Sequence, residues 1–374
     1  MKLGINAYEA NVSNRVGSNE YAFQVLIELE KLTREAHDDV EIFLATPPVS
    51  DLPKERDGWK YSVVQPLKFW TFVGLPIELF KRKLRGEVFD VFYSLGHYSP
   101  RFCPFPSVIS IMDLAYERYP SFFKRSDLYK LKRWTEYSLR QAKKIIAISK
   151  HTKKDLIGIY KIHEEKITIA YPGFELLEKE VSVEEFEELG IKKPYLLYVG
   201  TIQPRKNLIR LLEAFEMIKK QEGRQELSLV IAGKIGWMAE EVLEAVRQST
   251  YKDDIRLLGF VTDAQKAELY KHAETAILVG LYEGFGIPAL EAMHYGLIPV
   301  VSNTASLPEV VGNAGVIIDP HNSNDISRGI NEVLDMNDQQ KAMMQQHGKS
   351  QIKNFTWQKT GEIIYDVLQK VAKE

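Results

Sequence analysis

Short β-branched runs alternate with longer amphipathic segments from one end of this 374-residue chain to the other, and that alternation admits few folds. Strand patterns fall at Lys2 to Tyr8, Val40 to Thr46, Val88 to Leu95, Val108 to Met112, Lys144 to Ser149 and Ile167 to Tyr171, with helical periodicity over 19–35, 75–85, 126–142 and 150–158. Strands separated by helices form a parallel, doubly wound sheet, because each crossover helix returns the chain to the same end. A glutamate-rich stretch at 174–193 breaks the rhythm, and a second series begins at Pro194. YLLYVG, LSLVIAG, IRLLGFV, TAILVG, IPVVSN and GVIIDP read as six more strands, with helices near 207–221, 239–248, 263–272, 288–296 and 306–311. The expected fold class is therefore α/β, with two Rossmann-like doubly wound parallel-sheet domains, 1–178 and 179–355, facing a cleft at the carboxyl ends of their strands. A chain of this length exceeds what one hydrophobic core usually serves, which agrees with two domains.

Composition removes several function classes. No apolar run reaches the roughly 18 residues of a membrane span, and MKLGINAYEA enters a strand directly rather than a signal peptide, so a cytoplasmic location is expected. A single cysteine, Cys103, has no partner for a disulfide or a thiolate metal site. The net charge of -2 gives no reason to expect nucleic acid. Charge is nonetheless uneven, with 19 Lys and Arg against 10 Asp and Glu over residues 51–150. Two stretches there, KFWTFVGLPIELFKRKLR (68–85) and FKRSDLYKLKRW (123–134), interleave cations with aromatics. Each reads either as an amphipathic helix with its aromatics in the core or as a peripheral membrane-surface face of the N-terminal domain.

The chemistry concentrates in LYEGFGIPALEAMHYG, 281–296, where Glu283 and Glu291 flank a glycine-rich turn. Gly284 to Ala289 satisfies a dinucleotide fingerprint, but such a site needs an acidic residue near the end of the next strand. IPVVSN instead ends in Ser302 and Asn303, so the match is weak. What survives is the physics of the turn. Gly284, Phe285 and Gly286 offer backbone N–H groups to a ligand, and the following helix, with Glu291 expected in its first turn, presents a positive dipole end. A carboxylate suits a pair of vicinal hydroxyls, so two of them around an anion site read as sugar, phosphate and ribose, although either glutamate alone is as easily a solvated or dipole-balancing group. In YVGTIQPRKNLIRLLEAF, 198–215, Arg205 and Lys206 at a strand end can clamp a diphosphate, and Gly17 in RVGSNEYA opens the first domain's loop. No Asp-x-Asp pair and no HxH or HExxH spacing occurs, so no metal and no cofactor are expected, and Arg205, Lys206 and backbone dipoles are left to meet the leaving group. GxSxG and Walker A sequences are missing as well.

In order along the chain, NRVGSNEYA, PSVISIMDLAYERYP, AKKIIAISKHTKKDL, KITIAYPGF, YVGTIQPRKNL, LVIAG, LLGFV and YEGFGIPALEAMHYGLIPVVSNTASLPEVVGNAGVIIDP resemble a family-4 retaining glycosyltransferase of the GT-B fold. The resemblance implies that Glu283 contacts the donor sugar with the backbone of Gly284, Phe285 and Gly286, and that Glu291 holds the ribose. It implies that Arg205 and Lys206 bind the departing diphosphate, that Val261 touches the base, and that Gly17 approaches the phosphates and acceptor. By the same likeness Asp113 joins the catalytic set, His97 and Met112 lie on the acceptor side, and residues 356–374 form a helix crossing back to the N-terminal domain. One departure stands out: the family commonly has His-Asp where this chain has Met112-Asp113. Losing that hydrogen-bond partner is worth on the order of 1 kcal/mol. It suits either a donor without a 6-hydroxyl, such as a rhamnosyl or fucosyl group, or an impaired enzyme, while His97 is a candidate to take over the polar contact. The implied reaction moves a hexose, mannose or a 6-deoxyhexose, from a nucleotide diphosphate sugar to a hydroxyl of a glycan or lipid-linked glycan. A GT-B sugar-nucleotide epimerase and a non-catalytic sugar-nucleotide-binding subunit are the alternatives.

Overall fold

A computed structural model describes the whole chain apart from Asn14, Val16, Leu67 and residues 175–182. It divides into two compact units, Met1–Gly173 with Phe355–Glu374, and Phe174–Asn354. The expected boundary at 178/179 lies outside the described residues.

The first unit holds β1 (Lys2–Asn6), β2 (Asp39–Leu44), β3 (Trp59–Val63), β4 (Val91–Ser94), β5 (Ser107–Ile111), β6 (Lys144–Ala147) and β7 (Ile167–Ile169). The second holds β8 (Tyr195–Val199), β9 (Ser228–Ala232), β10 (Ile255–Gly259), β11 (Thr275–Leu278), β12 (Val300–Ser302) and β13 (Val316–Ile318). Their orders are β3-β2-β1-β4-β5-β6-β7 and β10-β9-β8-β11-β12-β13, every pairing parallel. Central strands such as VISI in β5 and SLVIA in β9 are buried throughout, as strands covered by helices on both faces must be. In both sheets the chain winds from the centre to one edge and then resumes beside its first strand. The winding direction therefore reverses between β1 and β4, and between β8 and β11. Crossover loops part on either side of such a reversal, which leaves a crevice at the strands' carboxyl ends.

β3 was not expected. It is an edge strand whose Lys60, Tyr61, Ser62 and Val63 are partly or fully exposed, so its sequence lacks the apolar run that marks the others. Among the described residues four α-helices also exceed the expected set, the short Ala115–Arg118 and Val183–Glu187 and two longer ones. Ser323–Leu334 carries a legible signal, an Asn322 cap and buried Ile326, Ile330 and Val333 at i, i+4 and i+7, whereas Asp338–Gln351 buries only Gly348 and has almost no apolar face.

The terminal helix Trp357–Lys373 is part of the first unit and buries Ile364, Val367, Leu368 and Val371. Thr360 Oγ1 donates to the Tyr171 carbonyl (2.5 Å) and Tyr365 Oη to Asp38 Oδ2 (2.5 Å). A Cβ on Gly173 would overlap the backbone of Trp357, so the chain passes this helix at the closest distance a backbone allows.

Candidate active site

Two loops leave the carboxyl ends of β8 and β11 and are stitched together by their own backbone. Leu281 N–H donates to the Arg205 carbonyl (2.8 Å), and buried Asn207 donates through Nδ2 to the carbonyls of Val279 (3.0 Å) and Pro320 (2.7 Å). Asn207 sits at φ 61°, a left-handed conformation that asparagine tolerates better than most residues, and this turns the chain into the helix Leu208–Lys219. Arg205 and Lys206 therefore stand on a tight turn, Pro204–Lys206, rather than on a loose loop.

Both cations reach the same carboxylate. Lys206 Nζ lies 2.5 Å from Glu283 Oε1, and Arg205 Nη1 lies 3.4 Å from Oε2 while donating to the Tyr282 carbonyl (2.9 Å). Glu283 is only 8% exposed. Burial pushes its pKa up, but the charges of Lys206 and then Arg205 outweigh that and hold it below its ordinary 4.5. Two cations against one carboxylate leave an excess of one positive charge, and a carboxylate's four lone-pair positions leave room for hydroxyl donors besides the two cations. Gly280 makes the geometry possible, since a Cβ there would come within 2.8 Å of Glu283 Oε1. Ser306 Oγ anchors the turn by donating toward the carbonyls of Glu283 (2.8 Å) and Phe285 (2.7 Å). At Gly286, φ is 116°, which disfavours any side chain, and the helix Ile287–His294 starts directly after it.

Glu291 lies in the second turn of that helix, not in the first as expected, so balancing the helix dipole does not account for it. It is 6% exposed, and its carboxylate accepts from Lys266 Nζ (2.6 Å) and Tyr270 Oη (2.9 Å). Burial works against the Lys266 charge, yet Glu291 raises its pKa above 10.5; burial and then Glu291 push the Tyr270 hydroxyl well above 10. Lys266 is thus charged and Tyr270 a donor at neutral pH, which orients Glu291 and leaves acceptor positions for two more hydroxyls. Lys266 and Tyr270 come from the helix Asp263–His272, opened by a capping box between Thr262 and Gln265, and Val261 immediately precedes that cap.

The first unit gathers polar groups at its own reversal point. Glu9, just past β1, accepts from Asn19 Nδ2 at Oε2 (2.7 Å) and lies against Gly96, just past β4. Burial raises the Glu9 pKa above 4.5, and His97 and Asn19 offset this only in part. His97 Nε2 donates to the Asp113 carbonyl (2.8 Å), and Asp113 Oδ1 accepts from Ala115 N–H (3.0 Å), so Asp113 shapes the turn that follows β5. Met112 is buried, and its carbonyl accepts from Thr152 Oγ1 (3.2 Å). Gly17 has φ 56° and ψ -115°, a glycine conformation, with no atom within 4 Å of where a Cβ would stand; it caps the helix Ser18–Glu35.

The structure thus joins Arg205, Lys206 and Glu283 directly, and places His97 on Asp113. Glu9, Asn19, Lys266, Tyr270 and Ser306 were missed in the sequence. A signal existed for two of them: Lys266 and Tyr270 are four apart just inside a capping-box helix, so they share a face. Nothing in the residues beside Glu9 marks it, since its partners come from the helix Ser18–Glu35 (Asn19) and from the loop past β4 (Gly96 and His97). Among the described residues no group of three or more His, Cys, Asp or Glu is placed to hold a metal ion, and no helix is long and apolar enough to cross a membrane.

Two doubly wound sheets with charged loops at their reversal points define a GT-B fold, and solved structures share it. Sucrose-phosphate synthase from Thermosynechococcus elongatus superposes with a TM-score of 0.74 at 17% identity, covering 99% of this chain and 98% of that one. HepE of Anabaena, in complex with UDP-glucose, gives 0.71 at 16% identity, covering 99% of each. Residues 182–351 match the family model of glycosyl transferases group 1, and residues 22–176 that of Glycosyltransferase Family 4. O-antigen chain mannosyltransferase B of Escherichia coli is 30% identical over 259 residues, 67% of each chain. The chain belongs to the group 1 glycosyltransferases.

Proposed function

We propose that this glycosyltransferase moves a hexose, mannose or a 6-deoxyhexose such as rhamnose, from a nucleotide diphosphate sugar to a hydroxyl of a growing cell-surface glycan, with retention at the anomeric carbon. The observation that carries the reading is the shared carboxylate of Glu283 between Lys206 and Arg205, with Glu291 held by Lys266 and Tyr270 farther along the same loop and helix. A diphosphate competes for the surplus positive charge of the first group. Glu283 stays ionised at neutral pH and accepts from sugar hydroxyls, while Glu291 accepts from the ribose. The name of the E. coli relative, a mannosyltransferase of O-antigen chains, supports mannose and a cell-surface glycan. The apolar Met112 supports a donor lacking its 6-hydroxyl.

Bond cleavage at the anomeric carbon puts charge on the diphosphate, and Lys206 and Arg205, already held in place through Glu283, need little reorganisation to meet it as it develops. Attack comes on the face from which the diphosphate leaves, a phosphate oxygen takes the acceptor proton, and neither a covalent enzyme intermediate nor a metal is required. Epimerase and non-catalytic readings gain no support from any particular contact. The protein acts in the cytoplasm on a glycan or lipid-linked acceptor.

A thermal-shift panel with GDP-mannose, dTDP-rhamnose, GDP-fucose, UDP-glucose and UDP-GlcNAc tests this. At about 100 times its dissociation constant the true donor adds nearly 3 kcal/mol. A selective response that vanishes in Glu291→Ala is expected. An equal response to every donor, or one untouched by the substitution, would overturn the assignment.

A further inference from the structure

The two basic, aromatic stretches are used differently in the structure. In the second, Phe123, Leu128 and Leu131 pack against the core, so the core reading holds there, and Trp134 meets Phe72 of the first stretch in a tilted ring contact (4.0 Å between centroids). The first behaves differently. A π-helical turn, Trp70–Gly74, runs into the helix Leu75–Leu84, which is pinned by buried Trp70, Leu75 and Leu79. Val73, Ile77, Phe80 and Leu84, at i, i+4, i+7 and i+11, form a stripe on the opposite side, and it faces solvent: Ile77 is 50% exposed and Leu84 86%. Phe69 and Phe102 extend the apolar surface, both 59% exposed. Isolated exposed hydrophobics are ordinary, but a contiguous stripe at helical spacing that the fold leaves uncovered marks a binding face.

Charge decides what covers it. Glu41, Glu78 and Glu87 all converge on Arg82 (3.0, 2.8 and 2.7 Å), which removes the acidic groups near this segment from the outward face. Lys68, Lys81 and Arg101 are exposed beside the stripe, and none of them is ion-paired among the described residues. Lys68 and Arg101 lie over the rings of Phe69 (5.7 Å) and Phe102 (5.3 Å), and Lys81 and Arg101 line one shallow groove with Ile77 and Phe80. An apolar stripe rimmed by cations matches a bilayer interface, where side chains enter the acyl boundary and lysines and arginines meet anionic headgroups. A second copy of the chain would bring two cationic rims together.

We infer that this face docks the protein onto an anionic lipid bilayer, with the helix Leu75–Leu84 lying in the interface. The inference rests on the proposed reading only for its purpose, bringing the enzyme to a lipid-linked acceptor. The test is co-sedimentation of the full chain with phosphatidylglycerol/phosphatidylcholine vesicles and with pure phosphatidylcholine vesicles, using wild type, I77E/F80E and K81E/R101E. All four positions are exposed, so folding is preserved, and a retained thermal response to the donor in each variant checks this.

Expected are binding to the anionic vesicles alone, weakening of at least about 30-fold in I77E/F80E, and a comparable loss in K81E/R101E with a flatter salt dependence. Undiminished binding in I77E/F80E, or none by the wild type, overturns the inference. So does a dimer in light scattering that I77E/F80E abolishes without any vesicle binding, which would assign the face to a second copy. Vesicle binding without any donor response would sink the transferase reading and leave this one standing.

Discussion

Glu9 and Glu283 each lie in a loop at the point where their sheet reverses direction, Glu9 past the first strand, β1, and Glu283 past the strand where winding resumes, β11. Both are largely buried, yet their proton affinities move in opposite directions. Desolvation raises both. Two fixed cations overcome it at Glu283, whereas a single histidine and an amide do not at Glu9. One sheet architecture thus builds two electrostatic sites: the second unit holds a carboxylate whose ionised form two cations favour, and the first holds a carboxyl whose protonated form burial favours. The former suits a diphosphate sugar, whose charge is constant. The latter suits neutral hydroxyls, which need an acceptor but no net charge.

Several substitutions would break or sharpen that contrast. Lys206→Ala removes the closest cation from Glu283 and should lower kcat by about 100-fold or more, the scale of one lost transition-state donor. An unchanged kcat would remove Lys206 from leaving-group chemistry. Glu291→Ala should raise the donor Kd by roughly 30-fold, the loss of about 2 kcal/mol of hydrogen bonding to a charged acceptor, read by calorimetry. Parallel weakening of free nucleoside diphosphate is expected, because the ribose is shared; an effect confined to the intact sugar donor would move Glu291 to the hexose.

In the first unit the effects are smaller. Met112→His should improve kcat/KM for a 6-hydroxyl donor over its 6-deoxy counterpart by about fivefold, one hydrogen bond's worth. No change in that ratio would make Met112 a packing residue. Glu9→Gln tests the titration itself. A carboxyl whose folded pKa is raised contributes stability below 4.5 that is lost as pH rises through the folded value. The variant should therefore match wild type in acid and gain in Tm, by a few degrees at most, at neutral pH. A loss at neutral pH would mean that the ionised form is favoured by something other than His97 and Asn19. Glu283, lowered instead of raised, should show the reverse: its contribution holds above 4.5 and disappears as pH falls through its depressed value.

Much of this protein is legible without coordinates. The β-branched runs specify both sheets because buried parallel strands cannot hide their composition, and β3 escaped because an edge strand need not be apolar. The Glu283 to Glu291 spacing, the Arg205-Lys206 pair and the glycines of the turn are equally local, since a tight backbone and a strand end write themselves into adjacent residues. Ion pairing is not local. That Glu283 takes both cations, that Lys266 and Tyr270 orient Glu291, and that Glu9 meets His97 depends on strands brought side by side from distant parts of the chain. The same holds for the two basic stretches, alike in composition but different in how much of their apolar surface is covered. The sequence determined that each is amphipathic; only the tertiary structure decided that the first, although pinned in the core by Trp70, Leu75 and Leu79, keeps a further apolar stripe that nothing covers, because burial depends on what lies opposite a helix, and no residue within the helix encodes that.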